Sequence, residues 1–355
     1  MAPDAPAFGV YVHIPFCTKR CDYCAFATWT DRMHIIDEYL DACVTDLDRA
    51  RDQGLPAATS VFVGGGTPSL VRPDALMRVL DHVPRVDGAE ITIECNPDTV
   101  TPELLRTYRE SGVNRLSFGV QSMVAHVLHA LGRTHDRANV ITAVRAARDA
   151  GFESFNLDLI YGAVGEGLDD WRATLDAVLA LEPSHVSAYG LTVEPGTPLA
   201  DQPERHPDDD DQADKYVIAD RMLAAGGLQS YEISNWAKPG FECQHNLLYW
   251  SQGEYLGVGC AAHSHRAGSR WWNVRTPERY IAAIARGVSP IAASEHLDDT
   301  ERRIEALQLA LRTRGGVPRS ALPDDLGDLV ERRGERVVLT VRGRLLANEV
   351  ALRLS

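Results

Sequence analysis

The sequence predicts an α/β protein, an incomplete (β/α)6 barrel of the TIM type followed by a small α+β domain of winged-helix character. Three observations carry this. Up to about residue 226, short β-rich runs alternate with longer amphipathic stretches, the pattern of repeated βαβ units and a parallel sheet. No G-x-G-x-x-G follows the first run, which favours six barrel units over a dinucleotide-binding sheet. Past residue 230 the alternation stops.

Taken in order, the strands are expected at Phe8–Ile14, Ser60–Val63, Ala89–Cys95, Val113–Gly119, Phe152–Ile160 and His185–Leu191. The amphipathic stretches between and after them are His34–Gln53, Asp74–Val83, Pro102–Ser111, Arg137–Ala150, Leu168–Leu181 and Asp211–Ala225. The acidic run at 201–211 reads as a solvated loop entering a helix N-terminus, where carboxylates are favoured. Three parts follow from this: the barrel over residues 1–230, an aromatic, Gly- and His-rich stretch over 231–297 that covers it, and the small domain over 298–355. The stretch holds a helix at Glu278–Gly287. In the small domain a helix at Glu301–Arg312 precedes two strand-like pieces, Val337–Thr340 and Ala351–Leu354, around a helical Arg342–Asn348.

With 355 residues and 45% hydrophobic content, the chain can bury a large core. A net charge of −14 argues against a nucleic-acid partner, and no apolar run reaches transmembrane length. The first residues, MAPDAPAFG, lack the basic and apolar regions of a signal peptide. The expected location is the cytoplasm, whose reducing conditions suit free thiols.

Just past the first strand, Cys17, Cys21 and Cys24 stand in the spacing C-x3-C-x2-C. Thiolates are the usual ligands of iron–sulfur clusters, and three of them leave one iron of a [4Fe–4S] cubane open for chemistry. A structural zinc site would need a fourth ligand at matching spacing, and no second C-x2-C exists. The loop resembles the cluster loop of radical S-adenosylmethionine (SAM) enzymes. There the open iron binds the amino and carboxylate groups of SAM, and the reduced cluster cleaves it to a 5′-deoxyadenosyl radical.

Four further stretches fall at expected strand ends. In GGGTPS (64–69) the glycines let backbone approach a ligand, although an ordinary tight turn reads equally well. Glu94, in ECNP, offers a carboxylate to the SAM ammonium. LSFGVQS (116–122) brings Gln121, and GRTH (132–135) brings Arg133, a bidentate partner for a carboxylate. In NLDLIYG (156–162), Asp158 within an apolar strand would be costly without a partner, and it is placed for ribose hydroxyls.

The whole set is similar to the HemN-type branch of radical SAM proteins. That resemblance implies that Tyr11 and Tyr23 flank cluster and SAM, that Gly65, Gly66 and Thr67 lie at the methionine moiety, and that Glu94, Gln121, Arg133 and Asp158 complete the pocket. The oxygen-independent coproporphyrinogen III oxidases of the branch carry a fourth cysteine two residues after the third, and a long N-terminal arm. Here Phe26 takes that cysteine's place, and ten residues precede Tyr11. Both departures resemble the haem chaperones of the branch, the HemW group.

Their H-N-x-x-Y-W signature has its counterpart in His245–Trp250. Imidazole is a standard axial ligand of haem iron, so His245 is the candidate haem ligand, with Tyr249 and Trp250 beside the porphyrin. The alternative is a structural motif that packs the aromatic segment onto the barrel mouth. Cys243 is a lesser ligand candidate, and His263 and His265 read first as structural, with ligand or substrate-site roles as the alternatives. The implied function is to bind haem and deliver it to haem-requiring acceptors such as respiratory enzymes, with haem handover, control of dimerisation and control of transient membrane contact as the alternative uses of the cluster and SAM. The alternative is radical decarboxylation of coproporphyrinogen III.

Overall fold

A computed structural model of the chain describes residues 7–323 and 326–354. The first half follows the expected alternation: β1 (Phe8–Ile14), α1 (Ile36–Asp52), β2 (Ala58–Gly65), α2 (Pro73–Asp81), β3 (Arg85–Cys95), α3 (Pro102–Glu110) and β4 (Arg115–Gln121). Then come α4 (Ala125–Ala130), α5 (Arg137–Asp149), β5 (Ser154–Tyr161), α6 (Leu168–Leu179), β6 (His185–Gly190) and α7 (Asp209–Ala225). Strands β1 to β6 pair side by side, all parallel, in chain order. β1 is buried at six of its seven positions, as expected of a strand covered on both faces. The acidic run does enter a helix. Asp208 caps α7 by accepting the Asp211 N–H, and Asp209 to Asp211 fill the first turn, where the helix dipole favours negative charge.

The later chain extends the same sheet rather than forming a separate layer. Its elements are β7 (Gln229–Ser230), β8 (Asn235–Ala237), α8 (Gln244–Trp250), β9 (Glu254–Val258), β10 (His263–Arg266), β11 (Ser269–Asn273), α9 (Pro277–Ala285) and β12 (Ile291–His296). β8 and β7 continue beyond β6, while β9 pairs parallel to β1 and carries β10, β11 and β12 outward. The sheet has twelve strands and its end strands β12 and β7 are not paired to each other, so the barrel is incomplete. The cover expected over 231–297 is therefore mostly sheet. Only α8 plugs the barrel, and at the end opposite the cysteines. It lies against Gly9, where a Cβ would strike Leu248 and the His245 ring, and against Ser60 and Glu90, which stand in register with Gly9 near the start of β1.

The C-terminal piece is α10 (Asp299–Leu311), β13 (Val317–Pro318), β14 (Val330–Arg333), β15 (Arg336–Leu339), α11 (Val341–Leu345) and α12 (Ala347–Ala351). Its three-stranded antiparallel sheet packs on its own small core of Leu311, Val317, Leu322, Val337 and Val350. Ala351–Leu354, expected as a strand, instead ends α12 and the turn after it, because Val350 and Ala351 bury together against that core from a helix. Among the described residues, no helix is long and apolar enough to cross a membrane.

Candidate active site at the barrel mouth

The loop after β1 is tied down at its base. Trp29 N–H donates to Pro15 O (2.7 Å) and Cys17 N–H to Trp29 O (3.1 Å). The turn after β2 locks onto it, with Gly66 N–H bonded to Ile14 O (2.7 Å) and Thr67 N–H to Phe16 O (2.8 Å). Between them opens a cavity of about 640 Å³ at the C-terminal ends of the strands, where barrels carry their sites. Cys17, Cys21, Cys24, Tyr23, Gly65, Gly66, Thr67, Glu94, Gln121, Arg133 and Asp158 all line it. Eleven residues singled out from six separate stretches thus meet in one place.

The thiols suit a cluster rather than a lone ion. Among the described residues, no three His, Cys, Asp or Glu side chains converge closely enough to hold a single metal. A cluster asks instead that each thiolate meet a different iron. Burial raises the pKa of Cys17 and Cys24, so both are held as thiols until a metal takes the proton's place. Thr67 Oγ1 donates to Cys17 Sγ (3.5 Å), a contact that favours the thiolate, and the Arg133 guanidinium donates to Cys21 Sγ (3.5 Å). Arg133 also donates to Gly119 O (2.7 Å) and to His135 Nδ1 (3.3 Å), and these three bonds fix the guanidinium while leaving two of its five N–H groups uncommitted.

The carboxylates give the cavity its electrostatic character. Glu94 is half-buried, and burial, with repulsion from Asp158, pushes its pKa up to about 7 against the Gly65 N–H that it accepts at 2.9 Å. Asp158 is also raised by burial, and it accepts from Ser117 Oγ (2.7 Å) and Asn156 Nδ2 (2.8 Å). No Lys or Arg among the described residues forms an ion pair with either. Two half-buried carboxylates without an ion-pair partner among the described residues, only Asp158 feeling a cation, Arg115, at a distance, fit a ligand that brings positive charge, as the sulfonium and ammonium of SAM do. Gln121 sits at a bulge in β4 with φ +63, a left-handed conformation rare outside glycine and typical of functional sites.

Two expected site residues lie elsewhere. Tyr11 does not line this cavity. Its hydroxyl bonds His13 Nδ1 (3.1 Å), and His13 Nε2 bonds Ala27 O (2.9 Å), so the pair fastens the exit of the cysteine loop from behind. His245 lies on the barrel floor, 1% exposed, beside a separate space of about 170 Å³. Its Nδ1 bonds Ser60 Oγ (3.0 Å) and its Nε2 bonds the Tyr249 hydroxyl (2.9 Å), so neither nitrogen offers a lone pair to iron in this arrangement. Burial lowers its pKa to about 3, and the ring is neutral. Cys243 donates to Glu90 Oε1 (3.4 Å), and the buried Trp250 Nε1 has no partner among the described residues.

Sequence reasoning missed Ser117 and Tyr189, which also line the cavity. Ser117 had a signal, since it is a polar residue in an apolar strand with Asp158 as partner. Tyr189, 42% exposed, had none, because it ends an ordinary strand run.

The profile of the radical SAM superfamily matches residues 11–178. A Mycobacterium tuberculosis protein named heme chaperone HemW is 40% identical, over 98% of this chain and 94% of its own length. The Bacillus subtilis protein of the same name is 36% identical over 96% and 97%. That of Escherichia coli is 41% identical over 73% and 70%. Among solved structures, E. coli coproporphyrinogen III oxidase (HemN), a radical SAM enzyme, superposes with a TM-score of 0.85 at 23% identity, over 98% of this chain and 89% of that one. It shares the fold.

Proposed function

We propose that this chain, which belongs to the HemW family of the radical SAM superfamily, binds haem and delivers it to haem-requiring proteins, respiratory enzymes among them. The observation that carries this is its similarity, over nearly its whole length, to proteins named heme chaperone. The cavity at the barrel mouth supports the cofactor part. In this reading Cys17, Cys21 and Cys24 hold a [4Fe–4S] cluster with one iron left to SAM, and the two together supply one-electron chemistry there.

The protein's own share is positioning and charge. Ionised Glu94 holds the SAM ammonium, and Asp158, braced by Ser117 and Asn156, meets the ribose hydroxyls. Gly65, Gly66 and Thr67 supply close backbone to the methionine end, with Tyr23 and Gln121 on the walls. Arg133 holds the Cys21 side chain by donating to its sulfur. Phe26 stands where a fourth cysteine would be, 66% exposed, and so adds an apolar wall rather than a ligand. His245 is retained as a residue on which haem binding depends. Direct ligation would require its bond to Tyr249 to open.

The test uses purified protein with its cluster assembled anaerobically. Haem is titrated with and without SAM, and the same sample is offered coproporphyrinogen III, SAM and a reductant. Stoichiometric haem binding without catalytic porphyrinogen conversion is expected. Protoporphyrinogen IX formed over many turnovers would overturn the chaperone reading. In parallel, Cys21→Ala is expected to abolish cluster assembly, and full iron and sulfide content in that variant would remove Cys21 as a ligand.

A further inference from the structure

A second large cavity, of about 720 Å³, opens beside the first, on the inner side of the sheet extension formed by β9, β10 and β11. Ala25 and Phe26 line both spaces, so the exposed Phe26 ring is part of the wall between them. A large exposed aromatic shared by two cavities calls for an apolar occupant.

β10 presents two imidazoles to this space, His263 and His265, two residues apart and so on one face of the strand. They differ in one decisive way. His265 is buried and its ring is fixed: Nδ1 bonds Gly253 O (2.9 Å), while the buried Nε2 has no partner among the described residues. His263 is exposed, and neither of its ring nitrogens has a hydrogen-bond partner among the described residues. Its ring stacks on Trp272, its cross-strand neighbour, at 5.6 Å and 25°. Partial burial keeps its pKa below the ordinary value, against the pull of Glu295, so the neutral ring with a free lone pair prevails at neutral pH.

The rest of the wall suits a flat, apolar, anionic ring. Tyr249 and Tyr255 meet edge to face, centroids 4.6 Å apart. Tyr249 is the contribution of the H-N-x-x-Y-W helix to this cavity, and His245 holds its hydroxyl from below. Two carboxylates on the wall, Glu295 and Glu305, both pair with Arg270, whose single charge offsets one of them. Arg275 remains at the rim, exposed and without an ion pair among the described residues.

We infer that this cavity is the seat of an iron porphyrin, with His263 as its axial ligand, the Trp272, Tyr249, Tyr255 and Phe26 rings about the macrocycle, and Arg275 for a carboxylate side chain. Imidazole on iron, aromatic packing on the ring and a cation for the carboxylate are the three contacts such a ligand asks for. The assignment rests on the haem-binding reading above but moves the iron away from His245. It also places the cargo against the cluster loop, with Phe26 between them.

The experiment titrates ferric haem into the full-length, cluster-loaded protein and reads the Soret band and the affinity. His263 is exposed, so His263→Ala is expected to keep the wild-type thermal midpoint and iron content. That variant is expected to shift the Soret band and weaken binding about tenfold or more. Arg275→Gln is expected to weaken binding by a factor of about three, with the band unmoved. His245→Ala is expected to lower affinity, through the lost support of Tyr249, and also leave the band in place. An unchanged band and affinity in His263→Ala would overturn the site, as would loss of the band in His245→Ala alone. A wild-type protein that binds no haem would overturn the haem reading itself, and the site with it.

Discussion

Glu94 is the residue through which pH acts on the barrel mouth. Its pKa is pushed up to about 7 by burial first and Asp158 second. A cationic ligand favours the ionised form, so SAM affinity is expected to fall as pH drops through about 7. Glu94→Gln should bind SAM weakly at every pH, with that dependence gone. Equilibrium binding to cluster-loaded protein over the neutral range measures this, and a flat wild-type profile would remove Glu94 as the cation's partner. For folding the sign is reversed. The folded pKa lies above the ordinary 4.5, so the contribution is present below about 4.5 and lost as pH rises through about 7. Without ligand, Glu94→Gln, whose carbonyl can still accept the Gly65 N–H, is expected to be more stable than wild type at alkaline pH by up to roughly 3 kcal/mol. Urea midpoints at alkaline and acid pH should show that gap and its closing. Glu94 and Asp158 were legible in sequence because a carboxylate in an apolar strand needs a reason, and the thiols because of their spacing. The state of His245 was not. Its motif is visible, but the Ser60 hydroxyl that takes up Nδ1 lies 185 residues away in the chain.

At the scale of elements, the turn after β2 is the piece that sets the cysteine loop. A Cβ on Gly66 would lie 2.7 Å from both Ile14 O and Phe16 O, and both are backbone atoms that cannot swing aside. Gly66→Ala is therefore expected to push the loop off the turn, to cost roughly 1–3 kcal/mol, and to lower cluster occupancy. Iron and sulfide content with a thermal midpoint checks it, and a wild-type cluster yield would show that the turn does not position the loop. This part of the fold was readable because six long alternations of apolar strand and amphipathic helix leave few alternatives, and because sites gather at strand C-terminal ends. The sheet extension was not readable. β9 to β12 are short and their exposed and buried positions do not alternate cleanly, so only their partners give them register: β9 runs beside β1 although more than two hundred residues separate them. α8 was misplaced for a related reason. Its aromatic run suggested the barrel mouth, but its cap comes from Glu90 of β3, which accepts the Gln244 and His245 N–H groups near the start of the barrel strands.

For the molecule as a whole, the small C-terminal domain has its own core and is fastened to the barrel by Val341, which packs on the large core, and by polar contacts that include those of Arg344. Arg344, in α11, reaches across to α7 and β7. Its guanidinium donates to Ser230 Oγ (2.7 Å) and to Asp220 Oδ1 (2.8 Å), and lies over the Tyr216 ring at 5.5 Å. Asp220 also accepts Trp236 Nε1 (3.1 Å), so one carboxylate serves both the barrel and its attachment. The pair is mostly buried, with side chains 14% and 18% exposed, and removing the cation leaves Asp220 short of a partner. Arg344→Ala is expected to cost roughly 1–3 kcal/mol, less than a fully buried pair because water still reaches both groups. The loss should be local. The strands that lead to the thiols and carboxylates of the barrel mouth pack in the large core, through Ile14, Ile93 and Leu157, so cluster content is expected to stay at the wild-type level while limited proteolysis cuts faster between β12 and α10. Unchanged cleavage would mean that the small core and the Arg314–Glu242 pair (2.7 Å) hold the domain without Arg344. Faster cleavage that also lowers haem affinity would tie the domain to the second cavity, since α10 supplies Glu305 and Leu309 to its wall.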